Sequence, residues 1–151
     1  MRFARLILAL GIASVIYATI YAGATGRYSI YYGIAPLALL VITIAAIVYL
    51  PIYALLNRYR PSVSPLRSII VSLAISIAFI TALFALEYIS AMSTKATITI
   101  DGGTTFVDGV PTEFWCSGVL KSLLVCTLAA TFAGYAFWFV FVRAQSKGRS
   151  D

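Results

Sequence analysis

Few residues in this chain are equipped to do chemistry. Glu87 is the only charged residue well inside a long apolar stretch. A carboxylate at membrane depth is costly and is a functional candidate by default. Lys121 stands near the start of the next apolar stretch, at a similar expected depth. The simplest expectation is a Glu87–Lys121 ion pair near the boundary, with Tyr88 and Ser122 adding hydrogen bonds. A proton or cation site at Glu87 is the competing chemistry, but one lone acid does not build a relay. The two cysteines, Cys116 and Cys126, are ten residues apart. That spacing is not the Cys-x-x-Cys of a thioredoxin-type site. Ten residues of straight helix advance about 15 Å, whereas a disulfide needs Cα atoms within about 7 Å. Cys116 is therefore expected to be free or bridged to another chain. The chain has no histidine, which excludes His-based haem, zinc and general-base chemistry. No phosphate-cradling glycine loop is present. No catalytic residue, metal or cofactor is expected, and the protein is read as non-enzymatic.

The elements that must carry these residues follow from composition. Of 151 residues, 62% are hydrophobic and 11% charged, against roughly 45–50% and about 25% in soluble domains. That excludes an ordinary water-soluble protein. A helix crosses the hydrocarbon core in about 20 apolar residues. Four stretches qualify, over 6–23, 34–56, 69–89 and 119–142. They predict one all-α domain, an antiparallel bundle of four transmembrane helices. The first stretch follows Arg2 and Arg5 and is rather long for a secretory signal, so a retained span is expected. Pro36 falls in a first turn, where its missing N–H is harmless. Pro51 is expected to kink or stop the second span, and Pro61 with Pro65 to stiffen the connection after it.

The net charge of +6 reflects orientation in a bilayer rather than a nucleic-acid partner. Arg2, Arg5, Arg58, Arg60, Arg67, Arg143, Lys147 and Arg149 fall on one side, and only Arg27, Lys95 and Lys121 on the other. Eight against three predicts cytoplasmic termini by the positive-inside rule. Tyr28, Tyr31, Tyr32, Tyr88 and Trp115 would form the outer aromatic belt. Tyr53, Tyr59, Trp138 and Phe141 would form the inner one.

Three spans carry small residues at every fourth position. They are Ser14, Ala18, Ala22 and Gly26; Ser68, Ser72 and Ser76; and Ser122, Cys126, Ala130 and Gly134. Spacing of four keeps them on one helix face, and small residues let helices approach closely in lipid. These stripes are expected to line the bundle interior or an oligomer contact.

One sizeable segment, 92–118, falls outside the spans. Residues 95–100 alternate polar and apolar, Asp101-Gly102-Gly103 signals a turn, and 104–107 returns as a second strand. Asp108-Gly109 and Pro111 are expected to end this hairpin. An isolated hairpin is marginal in water, so it must lean on the bundle, a neighbouring subunit or another protein. Ile98, Ile100, Phe106, Trp115 and Cys116 are its candidate interaction residues.

Four spans, inside termini, a short first outer connection and a longer last one form an order of elements. Arg5, Tyr31-Tyr32-Gly33, Tyr49-Leu-Pro-Ile-Tyr53, Cys116 with Lys121, and Phe137-Trp138-Phe139 add local detail. Together they resemble the MARVEL-domain tetraspan proteins of the fungal type, over most of residues 1–143. The family often carries more than one cysteine in the last outer loop, where this chain has only Cys116. The resemblance implies a non-enzymatic organiser of membrane patches that associates laterally, with the bilayer and itself as partners. An accessory subunit of a larger membrane complex is the second expectation. A small channel or transporter using Glu87 is the third. The location expected is a plasma or internal membrane, crossed several times.

Overall fold

The computed structural model describes residues 2–25, 34–59, 64–95, 97–100 and 102–142. Gly26, Arg27, Tyr28, Tyr31, Tyr32, Arg60, Pro61, Asp101, Arg143, Lys147 and Arg149 lie outside the described residues, as does the side chain of Tyr59. Helix α1 runs over Arg2–Ala24. The second long helix is built of α2 (Ala35–Ile44), a π-helical turn at Ala45–Tyr49, and α3 (Leu50–Tyr59). Helix α4 covers Pro65–Thr94. Helix α5 covers Glu113–Phe137 and continues as a π turn through Trp138–Val142. All four are long and apolar enough to cross a membrane.

The helix ends differ from expectation for local reasons. Pro51 does not stop the second helix, which continues to Tyr59. The proline has no N–H and its ring presses on the carbonyl four residues back. The wider π turn immediately before it absorbs the mismatch, a recurrent use of such turns. Pro65 is not part of the connecting turn but opens α4, where Ser64 caps the helix by accepting from the Leu66 N–H at 3.3 Å. Proline suits that first position because its N–H would be unpaired anyway. Arg67 Nη1 donates to the Leu56 carbonyl at 3.3 Å, clipping α3 to the start of α4.

Helix α5 is the centre of the packing, with α1 against one flank and α4 against another; α2 lies on α1, and the π turn closes onto α4. Gly134 sits against Ser68 and Ile69, while Trp115 lies against Phe84 and Tyr88. Helices α4 and α5 therefore run in opposite directions. At the end remote from Trp115, Ala9, Leu10, Tyr49, Tyr53, Val71 and Phe137 form the core cluster. Leu6 and Phe141 pack on it, so both ends of the described chain lie at this end. Tyr49 stacks on Tyr53 at 5.8 Å, and both meet the Phe137 ring edge-on at 5.1 and 5.5 Å. Tyr53, expected at the lipid boundary, is instead buried in this cluster.

The outward faces are apolar. Leu39 is 67% and Ile47 68% exposed, surface that water would penalise at about 25 cal/mol per Å² and lipid would not. The expected hairpin is a three-stranded antiparallel sheet of β1 (Ile98–Ile100), β2 (Gly103–Val107) and β3 (Val110–Pro111). Asp108-Gly109 does not end it but turns it. Both residues have positive φ, 51° and 81°, as a type I′ hairpin turn requires. Val107 then pairs with Val110, and Phe106 with Pro111.

Candidate functional site

The sequence candidates divide into two groups in space. The first group is the small-residue stripes. Ser14, Ala18, Ala22, Ser76, Ala130 and Gly134 are buried, as are Ser68 and Cys126, and Ser72 is half-buried. They face neighbouring helices of the same chain. Gly134 shows why the residue must be small. A Cβ there would stand 2.9 Å from both Ile69 Cα and the Ser68 carbonyl oxygen. Both are backbone atoms that cannot swing aside, so the glycine sets the distance between α4 and α5.

The second group forms a cap at the end of α4 and α5. Its hub is Trp115, placed there by Thr112. The Thr112 hydroxyl accepts from the Trp115 N–H at 3.4 Å and starts α5, with Glu113 in the first turn. The same hydroxyl donates to the Thr104 carbonyl of β2, and the Thr112 N–H donates to the Thr105 carbonyl at 3.0 Å. One side chain thus joins the sheet to the helix. Threonine before an acidic first turn is a start signal, and it was legible in the sequence though not singled out.

Phe106 is fully buried and lies 5.3 Å from the Trp115 ring. Phe84 meets that ring edge-on at 6.0 Å and Tyr88 lies at 6.1 Å. Trp115 Nε1 donates to Glu87 Oε2 at 3.2 Å. This replaces the expected Glu87–Lys121 ion pair. Lys121 is exposed and makes no salt bridge with Glu87. Similar depth along two helices does not fix the direction each side chain takes around its axis, and here Trp115 stands between α4 and the sheet. Trp115 itself is half-buried as a packing centre rather than a simple belt residue.

Ile98, half-buried, pairs with Phe106 on the side of the sheet turned toward the bundle. The adjoining turn rests on α4, where a Cβ at Gly109 would come within 2.9 Å of the Ala91 carbonyl oxygen. The opposite side is open: Val107 and Val110 are cross-strand partners, 47% and 65% exposed. Cys116 is exposed and free, and Cys126 is buried and free. Among the described residues, no cluster of three or more His, Cys, Asp or Glu could hold a metal ion. No known protein family, curated protein or solved structure matches the chain.

Proposed function

We propose that this protein is a non-enzymatic, multi-pass membrane component that assembles laterally and presents its three-stranded cap as the recognition surface. The single observation carrying this reading is the cap itself. Its inner side is fastened by Phe106, Trp115, Glu87 and Thr112, while its outer side shows Val107 and Val110. Val107 and Val110 stand beyond the ends of the membrane-length helices, where apolar side chains gain from leaving water by contact with a partner. The positive-inside rule puts the cap outside and the arginine-rich connections in the cytoplasm. The resemblance to MARVEL-domain tetraspans belongs to the same proposal and rests on sequence pattern. The test is native mass in lipid nanodiscs for the wild type and for Val107→Asp/Val110→Asp. A homo-oligomer, or a fixed-ratio complex with other subunits, that the double variant releases supports the reading. A lone 16.3 kDa monomer, or an assembly indifferent to the variant, overturns it.

A further inference from the structure

The helices enclose a cavity of about 290 Å³ at the depth of the apolar spans. Its volume is near the lower end of small-molecule sites, about 300 Å³. All four long helices contribute to its wall, and among the described residues none of the lining side chains is charged. The wall is not uniformly apolar. Ser14, Tyr17, Tyr49, Ser72 and Ser76 bring hydroxyl groups to it. Tyr17 and Ser76 share one hydrogen bond of 2.9 Å between α1 and α4. Two hydroxyls sharing one bond leave one further donor and three lone pairs between them, with the weakly bonding Cys126 thiol beside Tyr17. Tyr49 is only 6% exposed, and its hydroxyl lies beside those of Ser68 and Ser72. Unused hydroxyl capacity in hydrocarbon is costly. The mouth is identified by the exposed lining residues Leu40 of α2 with Phe79 and Leu83 of α4. It opens sideways, toward the space lipid tails would fill.

We propose that this cavity binds a neutral single-chain amphiphile, an apolar tail carrying an uncharged hydroxyl or ester head, taken from the bilayer. The tail matches the apolar lining, and the head answers Tyr17, Ser76 and their neighbours. An anionic head is disfavoured because no cation lines the site. The test is native mass spectrometry of the full chain released from mild detergent after incubation with 1-monooleoylglycerol, oleate or 1-octadecene. A one-to-one adduct with the monoglyceride is expected, at least tenfold more abundant than with either of the others. Tyr17→Phe and Ser76→Ala should each lower it about tenfold, one hydrogen bond's share of the affinity. Leu40→Trp at the exposed rim should also lower it, with unchanged thermal unfolding, so the reading does not depend on variants that disturb the interior. Absence of the adduct overturns the proposal. So does equal retention of octadecene, which would mean indifferent filling by any hydrocarbon, or binding that survives both Leu40→Trp and Tyr17→Phe.

Discussion

Replacing Gly134 with alanine adds one methyl group, and the structure says where it would go. The new Cβ would lie 2.9 Å from Ile69 Cα and from the Ser68 carbonyl oxygen, and 3.0 Å from Ser72 Oγ. Ordinary contact begins near 3.4 Å, so α4 and α5 must part locally by about 0.5 Å, a gap that forfeits about a quarter of each dispersion contact across it. Overpacking of this kind costs about 1–3 kcal/mol. Alanine also gains about 1 kcal/mol over glycine in any helix interior, which would mask part of the loss. Gly11 separates the two effects, because a Cβ there meets nothing within 4 Å. Gly11→Ala should therefore show the propensity gain alone. The assay is reversible unfolding in mixed micelles of increasing SDS fraction, monitored by circular dichroism. Gly134→Ala should fall below Gly11→Ala by about 1–3 kcal/mol, roughly 5- to 150-fold in the folding equilibrium. Equal stabilisation by the two substitutions would refute the argument that Gly134 sets the α4–α5 distance.

Two further predictions concern the cap. Trp115→Phe removes the donor to Glu87 while keeping an aromatic ring, and should raise amide exchange over β1–β3 by roughly fivefold, the equivalent of about 1 kcal/mol. Glu87→Gln keeps an acceptor and should leave that exchange unchanged; a large change would show that the carboxylate's charge matters beyond the Trp115 bond. Maleimide labelling of the folded protein in detergent should add one group, at Cys116, and a second at Cys126 only after denaturation. Two rapid additions to the folded chain would contradict the buried position of Cys126.

The four long helices were legible because the apolar runs are near membrane length and the connections are marked by Arg, Pro and Gly. Their ends were harder to read. The 69–89 estimate for the third span stopped short at both ends, because Pro65 and the serines and threonines of 90–94 look polar or helix-breaking in sequence. In the structure Ser64 caps the start, and Thr94 returns its hydroxyl to the Ser90 carbonyl at 2.9 Å. The third strand was missed for a similar reason. Asp108-Gly109 reads as an end when Pro111 follows it, yet the same dipeptide is a strong signal for a two-residue turn. Pro111 can still form an edge, where no ladder donor is needed. The partner of Glu87 was not legible at all. Spacing along a helix gives depth, but the direction around the axis is set by tertiary packing, and Trp115 meets the carboxylate directly from α5, with Phe106 of the sheet against its ring. The cavity was hidden for the same reason, since its hydroxyls come from different helices.

The burial of the small-residue stripes changes where lateral assembly can take place. In lipid, close approach of helix backbones is the main source of helix–helix affinity, and small residues permit it. This chain has committed Ser14, Ala18, Ala22, Ser68, Ser76, Ala130 and Gly134 to its own interior. The faces left outside carry Leu8, Leu39, Ile47, Leu86 and Leu124, bulky side chains that lipid tails solvate as well as another helix would. Such faces give little free energy and less specificity for choosing a partner. The cap differs in both respects: it has a fixed shape, and its Val107 and Val110 gain from leaving water in a way that a lipid-facing leucine cannot. Under the proposed function, partner choice therefore resides in residues 98–111. Exchanging that segment should alter assembly, whereas leucine-to-isoleucine changes on the lipid-facing helices should not.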